Sequence, residues 1–402
     1  MTTTYLESKP RYEILDALRG VAALIIVAFH MFEYYSKGPA YQIINHGYLA
    51  VDFFFILSGF VIGYAYDDRW DRMTVGSFIK RRLIRLHPML VFGTVVGALL
   101  YYLQEYIYDI PCGGAATPWW ALLLVFLYGL TLLPIPRAWD IRGLGEMHPM
   151  NNVFWTLMWE YIANLLYATV IRRFSRVMLT IFVLFSAFLT VNLCMNLDLF
   201  GLFTERTAEV NTVIGGWDLQ PTSILIAVTR LFYPFFSGLL LSRLFTGFDG
   251  GRKVLDLGKF RVKGGFLICV VAIVALLAMP RVGGTDPGNF WMNGLYETVV
   301  ILVCFPLIVS LGAGSVVESK AARSICKFLG EISYPLYVTH LPFVFVMMTW
   351  AHNHREAPLS VHIWVAVSLY ILSVAVAYAG FKLYDQPVRM WLKEKLFSRK
   401  SA

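Results

Sequence analysis

Charge is what this sequence has least of. Lys, Arg, Asp and Glu together make up 15% of its 402 residues, where an ordinary soluble domain carries roughly 25%. With 58% hydrophobic residues and a mean hydropathy of +0.62, a soluble fold would have to expose large apolar patches, which drive association. The same apolar excess argues against a disordered chain. The net charge of +8 is spread thinly and not gathered into a basic domain, so nucleic acid is not an expected partner. Cysteine is scarce as well. Cys112, Cys194, Cys269, Cys304 and Cys326 have neither paired nor CxxC spacing, so neither a disulfide framework nor a zinc site is expected, and no metal is invoked. Three of them lie inside apolar runs, where a thiol behaves as a small hydrophobe. A cleaved signal is not expected either: the first apolar stretch contains Asp16, Arg19 and His30, and no small-residue cleavage site follows. Low-complexity tracts are missing, and no long polar stretch suggests an appended soluble domain. The expectation is a single membrane domain over residues 1–402.

Apolar runs are what the sequence has in plenty, and they repeatedly approach the ~20 residues that cross a bilayer. They fall at about 13–34, 48–66, 88–105, 119–136, 153–171, 178–196, 222–242, 264–280, 294–317, 333–351 and 361–381. Backbone groups in lipid must be satisfied within their own segment, so each run is expected to be helical and the fold an all-α polytopic bundle. Lys and Arg concentrate on the cytoplasmic side of such proteins. Here 26 of 34 lie in the N-terminal arm, in 67–87, 172–177, 243–263 and 318–327, and in the tail from Lys382. That asymmetry puts the N-terminus and the basic loops inside. Eleven full crossings would then leave the basic tail outside. Because 67–87 and 172–177 both read as inside, one segment between them does not cross, and 119–136, bounded by Pro118, Pro134 and Pro136, is the expected re-entrant or interfacial piece. Ten transmembrane helices with both termini cytoplasmic are predicted.

Ionisable groups at membrane depth are costly and mark function by default. In the first span Arg19 and His30 are eleven residues apart, which places both on one helix face about 16 Å apart along the axis. Asp16 lies on nearly the same face and is spaced to pair with Arg19. Arg19 could instead snorkel to the inner surface, and His30 could cap the outer end. Asp52 opens the second span at about the depth of His30, and Glu160 lies about 10 Å below the outer edge of the fifth. A histidine beside a carboxylate is the usual arrangement of a general base. Asp52 and Glu160 could instead bond structurally to Arg230, or Asp52 could serve as a charge at the helix N-terminus. On the inner side Lys80, Arg81, Arg82 and Arg85 gather next to the third span. Guanidinium forks suit phosphates, although a basic juxtamembrane loop is usually a topology signal or an anionic-lipid contact. His340, with Tyr334 and Tyr337 nearby, reads as about two turns below the inner surface, and could bond to a neighbouring helix.

These motifs occur together in order. Leu15 to Leu24 with His30 resembles the arginine-x10-histidine signature of the acyltransferase 3 family of integral membrane O-acyltransferases. Val51-Asp-Phe-Phe-Phe-Ile-Leu-Ser-Gly-Phe-Val-Ile62 resembles its second-span motif, and Arg81 to Pro88 the basic start of its third span. Trp155-Thr-Leu-Met-Trp-Glu160 is similar to its tryptophan-serine-leucine-x-x-glutamate motif, and Leu329 to His340 to a late-span pattern ending in histidine. Thr156 stands where serine is usual, Tyr161 where a second acid is common, and Leu90 where an aromatic follows the proline. The resemblance implies transfer of a short acyl group, often acetyl, from cytoplasmic acyl-coenzyme A to a hydroxyl of a cell-surface glycan or small molecule in a bacterial inner membrane. It implies His30 as base, with Asp52 or Glu160 orienting it or touching the acceptor, and Arg19 on the donor or the oxyanion. Donor phosphates would lie at Arg81, Arg82 and Arg85, with His340 and Tyr337 also on the donor. A transporter is the rival class, since it too lines a path with Asp, Arg and His. A non-catalytic scaffold leaves the alignment of Arg19 with His30 unexplained.

Overall fold

The computed structural model describes residues 9, 11–110, 112–113, 116–203, 206, 210–249, 252–253, 264–317 and 319–397. Most of the N-terminal arm, 254–263 of the basic loop and the end of the tail lie outside the described residues. The elements are α1 (Glu13–Glu33), α2 (Ala50–Tyr66), α3 (Val75–Tyr102), α4 (Trp119–Gly129), α5 (Phe154–Thr169), α6 (Arg176–Cys194), α7 (Pro221–Thr246), α8 (Gly265–Ala278), α9 (Phe290–Val299), α10 (Phe305–Gly314), α11 (Lys320–Asn353), α12 (Leu359–Gly380) and α13 (Gln386–Phe397). Single π-turns continue α3 and join α9 to α10 and α12 to α13. A two-residue hairpin pairs β1 (Phe248–Asp249) with β2 (Arg252–Lys253). Among the described residues eight helical units are long and apolar enough to cross a bilayer, and α4 and α8 are shorter apolar helices. This is an integral, multi-pass, helical membrane protein.

Two helices begin earlier than their apolar runs. Thr74 caps α3, its hydroxyl accepting from the Ser77 amide at 3.2 Å, so Lys80 to Arg85 lie on the first turns of a long helix and not in a loop before it. Ser319 caps α11 in the same way, at the Ala322 amide. Hydropathy misses both turns because their charged residues lie outside the apolar window, whereas capping is decided by the one hydroxyl.

Contacts between helices fix their relative directions. Along α1 and α11, Gly20 packs on Leu329, Gly330 on Asp16, and the His30 ring lies 5.5 Å from that of His340, so the two helices run parallel. Along α2 and α7, Asp52 meets Arg230 and Gly63 meets Ser242, again parallel. This second pair is close because Gly59 rests on the Phe235 backbone and Gly238 on the Ile56 backbone; small residues allow such approach in lipid. Tyr334 donates to the Leu86 carbonyl and Gly93 abuts Val338, which aligns α3 with α11. Opposed to α3, α5 places Phe154 by Gly93, Glu160 on Arg82 and Tyr167 on Phe78. Likewise α6 opposes α7 through Arg176 at the Arg243 carbonyl and Phe182 on Phe236. The unit α9–α10 follows α2, with Tyr48 at Glu297 and Phe53 on Phe305, and α8 opposes it with Gly265 at Ser315 and Leu276 at Tyr296. Finally α12 opposes α1, with His362 at Tyr35 and Tyr370 at the Leu24 carbonyl.

The segment from α4 to α5 behaves differently. The Tyr101 hydroxyl lies 2.6 Å from Thr117, Thr94 bonds the Gly129 carbonyl at 3.4 Å, and Tyr101 donates to the Ile141 carbonyl at 3.0 Å. The chain therefore descends beside the upper half of α3 and is back at its starting level by Ile141.

Candidate active site

The parallel pairing of α1 with α11 brings His30 and His340 together. Both lie on the faces that these helices turn to each other, and both rings are fixed by acceptors. His30 Nδ1 is 2.9 Å from the Glu33 carboxylate, one helical turn on. His340 is fully buried, its Nδ1 lying 2.8 Å from the Tyr337 carbonyl and 3.2 Å from that of Leu336. A nitrogen facing only acceptors carries the proton, so each ring presents Nε2 as a bare lone pair. His340 Nε2 has no protein partner. The sequence places His340 near the inner surface. Because α11 starts at Lys320 and not near 333, the histidine stands well along the helix, level with His30.

The carboxylates expected beside His30 are engaged elsewhere. Asp52 is fully buried and paired with Arg230, whose Nη2 and Nε lie 2.7 and 3.3 Å from its two oxygens. The same guanidinium donates to the Tyr48 and Gly215 carbonyls, which ties α2 and α7 to the connecting segments. Glu160 accepts from Arg82 at 2.7 Å and from Ser58 at 2.7 Å. Neither carboxylate orients His30 in this structure; Glu33 does. Sequence reasoning missed Glu33, which its i,i+3 spacing to His30 could have revealed.

From the histidines a line of polar groups continues toward the N-terminal end of α1. Tyr337 and Thr156 share a hydrogen bond of 2.7 Å. Thr156 passes its own proton to the Val153 carbonyl, so the Tyr337 hydroxyl is the donor between them. Glu160 and Arg82 come next, then Arg19, which holds Asp16 at 3.2 Å as its spacing predicts. Arg19 lies within electrostatic reach of Arg82 and Arg85. Its separation from His30, about 16 Å along the helix, places it too far from that ring to meet an oxyanion there.

The inner cationic cluster differs from its expected composition. Arg82 is buried and turned toward Glu160, while Arg85 is exposed and Arg81 stacks on Phe397 at 4.4 Å. In its place α13 and the chain before α1 contribute. Lys393 faces Arg389, Arg85, Arg11 and Arg81 at electrostatic range, with Asp385, on Arg389 at 2.8 Å, as the nearby acid. Cations from three separate parts of the chain converge there. The sequence hides this because the tail's basic residues read only as a topology signal.

Helix pairing thus makes a membrane bundle with a polar column running from a cationic basin at one face to two histidines near the other. The model of the family described as "Acyltransferase domain" matches residues 12–382, and the chain belongs to that family. It is 34% identical over 170 residues to "Protein 2 in picA locus" of Rhizobium radiobacter, covering 39% of this chain and 81% of that protein. It is 22% identical over 397 residues to O-acetyltransferase OatA of Staphylococcus aureus strain NCTC 8325 / PS 47, covering 94% of this chain. The chain spans 58% of the length of that relative. No solved structure matches.

Proposed function

We propose that this protein is an O-acyltransferase of the bacterial inner membrane. It moves a short acyl group, acetyl in the first instance, from cytoplasmic acyl-coenzyme A to a hydroxyl of a glycan or other cell-surface or small-molecule acceptor. In this reading α1, α2, α3, α5, α6, α7, α8, α9–α10, α11 and α12 make ten crossings, α4 is re-entrant, and both termini are cytoplasmic. The alternation of helix directions and the return of the chain at Ile141 support that count. The basic basin then faces the cytoplasm.

The carrying observation is His30 held by Glu33 at 2.9 Å, at the far end of a polar column from the basin. Arg11, Arg81, Arg85, Arg389 and Lys393 take the donor's phosphates, and Arg19 with Arg82 line the way of its arm toward His30. His30 Nε2 accepts the proton of the acceptor hydroxyl as that oxygen bonds to the thioester carbonyl carbon. The carbon–sulfur bond then breaks, and the imidazolium returns the proton to the departing thiolate. Glu33 stabilises the charged ring in between.

The test is acceptor-dependent thiol release from acetyl-coenzyme A by the purified protein. His30→Ala is expected to lower it about 10²–10⁴-fold, the usual contribution of general base catalysis, with unchanged elution of the protein as a folded species. Near-normal turnover in that variant overturns His30 as the base. Transport of the acceptor by wild type with no loss of thioester favours a transporter.

A further inference from the structure

The connecting segment between α4 and α5 has no part in the transfer as derived, yet a dense set of hydrogen bonds holds it. The Asp140 carboxylate accepts from the Arg142 amide at 2.9 Å and from the Gly145 amide at 2.5 Å. Arg142 Nε donates to the Pro149 carbonyl at 2.6 Å, with its guanidinium over the Phe345 ring at 3.9 Å. The Met147 amide bonds the Trp217 carbonyl. Asn151 is fully buried, and its Nδ2 donates to the Val338 carbonyl, two residues before His340.

These contacts fix a group of polar side chains over the histidines. Glu146, 9% exposed, accepts from Asn152 Nδ2 at 2.8 Å and lies within electrostatic reach of Glu33, the residue that holds His30. Glu146 Oε2, Asn152 Oδ1 and Asn151 Oδ1 are buried and have no partner among the described residues, and the same is true of His340 Nε2. Each unpaired buried polar atom is normally costly, so several in one neighbourhood need an explanation. Asn151 Oδ1, Asn152 Oδ1 and His340 Nε2 are acceptors, and the Glu146 carboxyl can accept or donate. Together they suit a ligand that brings several hydroxyls, and they disfavour an anion.

We propose that Glu146 and Asn152 form the acceptor subsite and recognise a hydroxyl-rich ring, a carbohydrate, by taking hydrogen bonds from hydroxyls next to the one acylated. This rests on the acyl-transfer reading. Glu146 and Asn152 hold the acceptor while His30 acts on a neighbouring oxygen, so their loss weakens acceptor binding more than turnover. The segment's position at the end of the column remote from the basin separates acceptor from donor.

The probe is surface glycan extracted from cells lacking the gene, with labelled acetyl-coenzyme A as donor and purified wild type, Glu146→Gln and Asn152→Ala as enzymes. Glu146→Gln keeps the shape and the bond to Asn152 but puts a donor-only amide nitrogen in place of Oε2. Both variants are expected to raise KM for the glycan at least tenfold while kcat changes less than threefold, with acetyl-coenzyme A affinity within twofold of wild type as the sign of a folded protein. Unchanged KM in both variants overturns the subsite and leaves the transfer reading standing. Failure of wild type to bind acetyl-coenzyme A overturns the transfer reading itself. Labelling of alcohols without rings, and not of glycan, by wild type overturns the carbohydrate assignment.

Discussion

Replacing Asp52 with alanine strands the Arg230 guanidinium in the bundle with no counter-ion. The carboxylate is fully buried and its partner 3% exposed, so water cannot compensate. Removing one member of a buried ion pair costs about 3–5 kcal/mol. Arg230→Ala should cost more. It leaves Asp52 uncompensated and also strands the Tyr48 and Gly215 carbonyls, at 2.8 and 3.3 Å from the guanidinium, each at about 1–3 kcal/mol. In the double variant Asp52→Ala with Arg230→Ala no charge remains unpaired, and only the carbonyl losses and the vacated space persist. The double variant should therefore be more stable than Arg230→Ala alone, a marked failure of additivity. Thermal loss of the monodisperse species in detergent, followed by size exclusion, ranks the four proteins. A double variant that loses the sum of the single losses refutes the reasoning, because the two groups would then not be coupled. Normal acetyl transfer by whichever single variants survive would confirm the pair as architecture; loss of transfer in a stable Asp52→Asn would return Asp52 to the catalytic group.

Lys393→Gln with Arg389→Gln should lower acetyl-coenzyme A affinity at least tenfold, measured by titration in lipid without anionic headgroups, and the difference should shrink as salt rises. Gly238→Val drives a side chain into the Ile56 carbonyl and should cost about 1–3 kcal/mol or more in the same thermal assay, whereas Gly76→Ala on α3, which meets open space, should cost nothing. Burial raises the Glu146 carboxyl from 4.5 to about 8. Between those values the folded protein binds a proton that the unfolded chain does not, so stability is full below pH 4.5 and falls as pH rises to 8. At about 1.4 kcal/mol per unit of difference, Glu146→Gln should flatten the pH dependence of unfolding in that window. His148, lowered to about 3 by burial, works in the opposite sense and is shared by both proteins, so the difference isolates Glu146.

The apolar runs made the helices legible, and the Arg19, Asp16 and His30 spacing made one face of α1 legible, because both follow from periodicity within a single segment. Pairing between segments was legible only in part. Arg230 was one partner the residues offered for both Asp52 and Glu160, but the sequence does not say which cation each carboxylate meets; Arg230 for Asp52 and Arg82 for Glu160 were settled by which helices lie side by side. His340 was misplaced because a hydropathy window cannot see the polar turns that open α11. The α13 cations escaped notice since a basic tail satisfies the inside rule without any tertiary contact.

The parallel contact of α1 with α11 has a consequence for how the protein comes into being. His30 is made some 310 residues before His340, and synthesis of the intervening chain takes on the order of tens of seconds. Through that interval the first helix waits with its Arg19 and His30 face uncovered, and must be sheltered by the insertion machinery or by neighbours it later leaves. A nascent chain that has not yet made α11 cannot bring the two histidines together. Order of synthesis and completion of the polar column are tied by one helix–helix seam.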